Sequence, residues 1–452
     1  MKNPDHIEHF YFIGIGGIGM SALARYFQAK GSKVCGYDRT PSKLTAELEK
    51  EGINISYADE VEAIPQNILE DVENSLVVYT PAVPKGHKQF NYFQQEGFEV
   101  VKRSELLGMV TVNKYCLAVA GTHGKTTTTA ILGHLLKETG AKVTAFLGGI
   151  SEDIQSNLIM QGDEVVVVEA DEFDRSFLRL SPNIAAITSM DADHLDIYGS
   201  KEELEKSFKD FAAKIPESGT LFVNNKLSLS GKTLGINDAS DYSAKNVKIE
   251  NGTYVFDLKT PSQTIENLRF NLPGNHNLLN AITALAMAIE YGSPTIDLAR
   301  ALYSFKGVRR RFNYKIKTDK LVLIDDYAHH PTEISAVHQA VRAMYPDKIV
   351  LAVFQPHLFS RTRDFAEDFA SSLSEFDKVF LMDIYPARET PIEGITSAWL
   401  LEQIENDYKR LVSKHDLIDS IRSEYADVVV MMGAGDIGDE VESVQNALQN
   451  EA

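Results

Sequence analysis

Short apolar runs, each followed by a glycine-rich or polar loop and then by helix-spaced apolar residues, recur along this chain from residue 9 to residue 432. Such runs, bounded by turn signals, predict buried strands, and apolar positions repeating every three or four residues predict the helices packed on them. The pattern predicts strands at 9–15, 33–37 and 76–80 and a helix over 21–30. A second series predicts strands at 115–120, 164–169 and 184–189 and a helix over 127–136. A third predicts strands at 321–324, 349–354, 379–382 and 428–432, with helices over 332–344 and from Asp364. Strand–helix alternation implies parallel sheets with crossover helices, an α/β fold. Residues 240–272 depart from it: they alternate, carry turn signals at Asn251-Gly252 and Pro261-Ser262, and read as an antiparallel hairpin insert.

Length and charge narrow the picture. A chain of 452 residues is too long for one core, so several domains are expected. A net charge of −19 argues against nucleic acid as a partner, which would need a basic face. Cys35 and Cys116 are the only cysteines, both inside apolar runs, which suits buried thiols in a reducing compartment. The first residues carry no apolar leader and no stretch reaches membrane-spanning length, so a cytoplasmic protein without a membrane partner is expected.

The loops carry the chemistry. Gly121-Thr122-His123-Gly124-Lys125-Thr126-Thr127 sits between a predicted strand and a predicted helix, the setting of a phosphate cradle. In such a loop the backbone amides face the anion, the lysine reaches the outer phosphates and the hydroxyl reaches Mg²⁺. The general pattern wants a glycine where Val119 stands, so this loop is a shortened form. The valine run 165–168 ends in Glu169 and an acidic cluster through Asp174, placed to hold Mg²⁺. His194, among Asp191, Asp193 and Asp196, is a second candidate metal ligand, although a polar loop would also explain it.

Near the N-terminus, Gly14-Ile15-Gly16-Gly17-Ile18-Gly19-Met20 and the later Asp38 satisfy a dinucleotide fingerprint, which reports a phosphate-and-ribose site rather than a hydride. Thr80 opens a loop at a strand's carboxyl edge, where such sheets bind ligands. Asn277 and Asn280 share a helix face from which amides could read a nucleotide; capping would account for one of them. Arg309-Arg310-Arg311 is a basic knot suited to a transferring phosphoryl. The boundaries drawn are 1–107 for a Rossmann-like domain, 108–312 for a central P-loop domain with a mostly parallel sheet, and 313–452 for a C-terminal Rossmann-like domain.

With these loops in this order, nearly the whole chain resembles the Mur ligase family. The resemblance rests on the two glycine loops, Glu169-Ala-Asp-Glu172, Asp193-His-Leu-Asp196, His276-Asn277 with Asn280, Arg310-Arg311-Phe312, Asp325-Asp326-Tyr327 with His329-His330-Pro331, and Ser360-Arg-Thr-Arg363. It implies a ligase that phosphorylates a carboxylate with ATP and passes the acyl group to an amine. The branch it favours joins L-alanine to UDP-N-acetylmuramate. The implied roles are Thr126 and Glu169 on one Mg²⁺ and His194 on another. Gly121 to Thr127, Asn277 and Asn280 would hold ATP, which Arg311 and Asp326 reach. The sugar nucleotide falls to Gly16, Gly17, Ile18, Gly19, Met20, Asp38, Thr80 and His123, and the amino acid to Tyr327, His329 and Arg361. The catalytic set so implied is Lys125, Glu169, His194, Arg311 and Asp326, in a monomer or weak homodimer. Two departures stand out: the family's Gln-Pro-His-Arg reads Gln355-Pro-His-Leu358, and Ala328 stands where glycine is frequent.

Rival readings remain open at this level. A nicotinamide-dependent dehydrogenase would use the first glycine turn but leaves Lys125 and Glu169 without a role. A non-catalytic nucleotide switch would bind ATP and form no amide. A sister ligase that recycles a tripeptide onto the same sugar nucleotide differs only in the size of the amine.

Overall fold

Five parallel strands, in the order Asn54–Ser56, Lys33–Tyr37, His9–Ile13, Ser75–Tyr79 and Glu99–Lys102, form the first sheet of the computed structural model. The structure describes residues 2–449 apart from 192–194, 251 and 388. The chain order reverses between His9–Ile13 and Ser75–Tyr79, which opens a crevice at their carboxyl ends. The glycine turn leaves the first of these strands and Thr80 leaves the second. The helix after the turn runs over Ile18–Ala29, three residues earlier than its apolar spacing predicts. Gly17, in an extended conformation, serves as its N-cap, so the glycines end at the helix start instead of forming a separate loop.

The central sheet has ten strands. Its middle places Tyr115–Ala120 between Ile184–Ile187 and Val165–Ala170, all parallel. Strands Val143–Ser151 and Ser156–Met160 complete one side; Thr220–Asn224 and Lys232–Ile236 extend the other. The segment read as a hairpin insert is three strands, Tyr242–Glu250, Thr253–Lys259 and Thr264–Phe270, continuing this sheet to its far edge. Pairing of Tyr242–Ala244 with Leu234–Ile236 joins them to it, a long-range contact that local alternation does not reveal.

A six-stranded third sheet runs in the order Asn313–Lys317, Val322–Asp326, Val428–Met432, Val350–Phe354, Lys378–Leu381 and Lys409–Leu411. Only the first of these strands is antiparallel. The helix expected from Asp364 is two helices, Phe359–Asp364 and Ala366–Ser374. Three α/β domains with mostly parallel sheets result.

Packing groups the sheets into two compact units. One takes in residues up to Lys248 with Val255–Phe270 and Leu279–Lys306; the other is built on Asn271–Leu278 and the chain from Gly307 onward. The first two sheets share one unit because they share one core: Phe10, Phe27 and Leu106 belong to the same buried cluster as Val166, Phe177 and Phe208. Tyr26 meets Phe146 edge-on at 5.3 Å, and Arg25 donates to Asn157 Oδ1 at 2.5 Å. In the second unit both faces of the sheet are covered by apolar clusters, as a parallel sheet requires. Both cysteines are buried free thiols. Among the described residues no helix is long and apolar enough to cross a membrane.

Candidate functional site

The glycines around Lys125 are there for geometry. Gly121 (φ 129°) and Gly124 (φ 82°) adopt backbone conformations that other residues resist. A Cβ on Gly121 would lie 2.1 Å from Thr188 Oγ1, and one on Gly124 would lie 2.5 Å from Asn280 Oδ1. The loop is buttressed by the residues after strand Ile184–Ile187. Ser189 Oγ accepts from the His123 amide at 2.8 Å, and Thr188 Oγ1 donates to the His123 carbonyl at 2.5 Å. Thr122 Oγ1 pairs with Ser189 Oγ at 2.8 Å, and His123 Nε2 lies 3.4 Å from Asp191 Oδ2. The following helix, Lys125–Glu138, therefore begins with its free amides aimed out of a rigid turn, an anion site.

Two carboxylates serve the first turn of that helix. Sheet register sets Glu169 beside Val119, and Thr126 Oγ1 donates to its two oxygens at 3.1 and 3.0 Å. Space for the carboxylate comes from Gly148, where a Cβ would sit 2.0 Å from Glu169 Oε2. A hydroxyl and a carboxylate converging beside a phosphate loop are hard oxygen donors, a set that fits Mg²⁺. Glu172, fully buried, binds the Lys125 ammonium through both oxygens, at 2.9 and 2.7 Å. Burial alone would lower the Lys125 pKa, but Glu172, with Asp171 and Glu169, more than reverses this and holds it above the ordinary lysine value. His194, proposed as a metal ligand from sequence, lies outside the described residues.

A cavity of about 290 Å³ joins this region to the first glycine turn. Gly17, Ile18, Gly19 and Met20 line one end with Thr80; Gly148, Glu169 and Asp171 line the other, and Arg103 stands among them. Arg103 begins the helix Arg103–Thr111 and lies 3.6 Å from Asp171 Oδ2. Asp38 works from behind the turn: its carboxylate accepts from the Gly16 amide at 2.8 Å and the Thr40 amide at 3.2 Å. It therefore shapes the glycine turn.

In the second unit the carboxyl ends of three adjacent strands meet. Asp326 is buried, accepting from the Phe312 amide at 2.6 Å and the Ala328 amide at 2.7 Å. Burial pushes its pKa up to about 6, against the pull of Arg311 and those two amides. The Tyr327 ring has the Arg310 and Arg311 guanidiniums each 5.1 Å from its centroid. Glu333 lies 3.9 Å from Arg311 and accepts from the His329 amide at 3.0 Å. Burial pushes the neighbouring His276 down to about 4, with Glu333 opposing and Arg311 assisting, so it is a neutral imidazole at pH 7. Arg361, 9 % exposed, reaches His357 Nδ1 at 3.3 Å, and His357 stacks on Tyr385 at 5.8 Å. Arg363 instead pairs with Asp364 on the surface, so of the two arginines beside Leu358 only Arg361 joins this group. Leu358 itself is buried at φ 71°, its amide held by the Tyr385 carbonyl at 3.0 Å. Ala328 is fully buried and no obstacle to the turn.

Asn277 and Asn280 both lie on helix Asn275–Tyr291 and both are buried. Asn277 donates to the Pro273 carbonyl at 2.7 Å, the local bond of a helix start, and Asn280 packs on Gly124 of the phosphate loop. Sequence reasoning passed over Arg103, Gly148, Thr188, Ser189 and the lysine-binding role of Glu172. A glycine pair inside an apolar strand was the available sign for Gly148, since strand glycines mark close approach.

The titration of Asp326 makes a prediction for the second unit. Its folded pKa lies above the unfolded value of about 3.9, so the folded state holds the proton more tightly. The group's contribution to stability is then greatest below pH 4, declines as pH rises to 6 and stays lost above it, by about 3 kcal/mol in all. Chemical denaturation from pH 4 to 7 should show this slope, and Asp326→Asn should flatten it.

Comparison with known proteins adds three findings. The profile described as the Mur ligase middle domain matches residues 119–288, that of the Mur ligase family catalytic domain residues 9–115, and that of the Mur ligase glutamate ligase domain residues 310–435. The UDP-N-acetylmuramate–L-alanine ligase of Christiangramia forsetii is 76 % identical over 452 residues, all of both chains. Among solved structures, the UDP-N-acetylmuramate-alanine ligase of Thermotoga maritima superposes with a TM-score of 0.82 at 27 % identity, over 98 % of this chain and 100 % of that one. A murein peptide ligase from Psychrobacter arcticus has the same fold, with a TM-score of 0.69 at 22 % identity over 98 % and 99 % of the two chains.

Proposed function

As the chain belongs to the Mur ligase family, we propose that it is the ATP-dependent ligase joining L-alanine to the lactyl carboxylate of UDP-N-acetylmuramate. The products are the amide, ADP and phosphate, and the step belongs to peptidoglycan precursor synthesis. The observation that supports the reading is the cavity running from the Gly17–Met20 turn to Glu169, one continuous space bordered by the first glycine turn and by the acid that faces Thr126.

A carboxylate oxygen is a poor leaving group until it is phosphorylated. The phosphate loop serves that activation: its amides and Lys125 offset the charge that builds between two anions, ATP and the carboxylate. Thr126 and Glu169 would hold Mg²⁺, with His194 as a second proposed ligand; the metal supplies further charge neutralisation there. The turn at Gly16 to Met20 receives the diphosphate at a helix start, with Arg103 as the nearby cation. Thr80 lines the same cavity, and Asp38 and His123 are assigned to the sugar nucleotide with it. Asn277 and Asn280, with Arg311 and Asp326, are assigned to the nucleotide. Tyr327, His329 and Arg361 are assigned to the amino acid, whose carboxylate Arg361 would pair. Domains at 1–107, 108–312 and 313–452 divide the labour accordingly, in a cytoplasmic monomer or weak homodimer.

ATP-dependent phosphate release with UDP-N-acetylmuramate tests the reading. Turnover with L-alanine should far exceed that with D-glutamate or with a tripeptide beginning in L-alanine. A preference for the tripeptide would make this a recycling ligase, and no release with any amine would sink the proposed function.

A further inference from the structure

The Lys125 ammonium has three N–H donors, and in this structure each has a partner. The Gly121 carbonyl takes one at 2.7 Å, and the Glu172 oxygens lie at 2.9 and 2.7 Å. The lysine that should meet the outer phosphates is thus fully engaged, by a carboxylate and a backbone carbonyl. That carboxylate is not free to follow it. Glu172 is completely buried, and its backbone carbonyl accepts from the Tyr198 hydroxyl at 2.6 Å. The turn just beyond it is pinned as well: Phe173 donates its amide to Asp171 at 3.2 Å, and Asp174 and Arg175 are both left-handed. With the Glu172 backbone so held, the lysine, on its flexible four-carbon stem, is the member of the pair able to move.

We propose that Glu172 is a latch on the phosphate loop: it holds Lys125 until the outer phosphates of ATP compete the ammonium away, and so it sets the affinity for ATP. The inference rests on the ATP-dependent reading above and adds a positioning residue acting through Lys125. A phosphate oxygen and a carboxylate oxygen cannot both take the same N–H. Binding therefore exchanges one charge-assisted pair for another and leaves Glu172 in a dry site without its ammonium. Both effects oppose ATP, and both vanish when the carboxylate is neutralised. Glu169 differs in kind, since it faces the Thr126 hydroxyl.

The test is the dissociation constant of the non-hydrolysable analogue AMP-PNP, by calorimetry on the full chain, for the native protein, Glu172→Gln, Lys125→Ala and the double variant. Glu172→Gln should bind about tenfold more tightly than the native protein, while the same change in the Lys125→Ala background should have no effect. Weaker or unchanged binding by Glu172→Gln overturns the latch, as does an equal gain without the lysine. A second measurement needs no variant: in a crystal structure of the native chain with AMP-PNP and Mg²⁺, Lys125 Nζ should have left Glu172 for the phosphates. If both Glu172 contacts persist with the analogue bound, the proposal fails even where the variants do not fold. A native chain that does not bind AMP-PNP fails the ATP-dependent reading itself, and the latch with it.

Discussion

Lys125→Ala should reduce amide formation by about 10³-fold or more, the scale seen when a group stabilising transition-state charge is removed from acyl or phosphoryl transfer. The loss should fall on turnover, because the proposed function assigns the ammonium to the developing charge and the sugar nucleotide to the Gly16–Met20 turn. Binding of UDP-N-acetylmuramate should stay within a few-fold of the native value, since the Gly16–Met20 turn and the phosphate loop rise from different sheets. The variant also strands Glu172, which is fully buried. Removing one partner of a buried pair costs about 3 kcal/mol or more, so a lower melting temperature should accompany the kinetic defect. The double variant with Glu172→Gln should recover stability without recovering turnover. Calorimetric binding of the sugar nucleotide, beside a phosphate-release assay, checks the separation. Loss of both functions in a folded variant would count against the assignment of the two sites.

Gly148→Ala is expected to be the next most damaging change, although Gly148 carries no functional group. The added Cβ would lie 2.0 Å from Glu169 Oε2 and 2.7 Å from its Cδ, distances that no side chain tolerates. The glycine is in the strand Val143–Ser151, and the carboxylate belongs to the segment Val165–Ala170 beside it. Relief must come from rotating the carboxylate away from Thr126, because the two backbones are held together by their ladder. Displacing the carboxylate proposed to hold the metal should cost about 10- to 100-fold in metal affinity or activity. The signature is a raised Mg²⁺ requirement with partial recovery at high Mg²⁺, read both from turnover and from direct Mn²⁺ binding to the protein. A melting temperature reduced with no change in metal dependence would show the glycine to be needed for packing alone.

The backbone form of the loops was largely legible in residue order. The run Gly-Thr-His-Gly-Lys-Thr-Thr after an apolar strand announces a phosphate loop because only glycine adopts the conformations at 121 and 124 without strain, and only a lysine there suits outer phosphates. The parallel α/β architecture followed from strand–helix alternation, a local property of the chain. The extent of the helix at Ile18–Ala29 was less legible, since glycines lower helix propensity while serving well as caps.

Other matters depended on which strands become neighbours, and no local pattern encodes that. Residues 242–270 alternate as a free hairpin would, yet pairing with Lys232–Ile236 makes them the far edge of the central sheet. Glu169 and Glu172 are equivalent as sequence, two acids three positions apart. Register puts the first against Thr126, and a buried turn puts the second on Lys125. Sequence alone determined the chemistry available to this protein, because loop residues declare their function through side-chain type and backbone permission. Tertiary structure alone decided which acid meets which base and where a missing Cβ makes room, because those are distances between segments that only packing brings together.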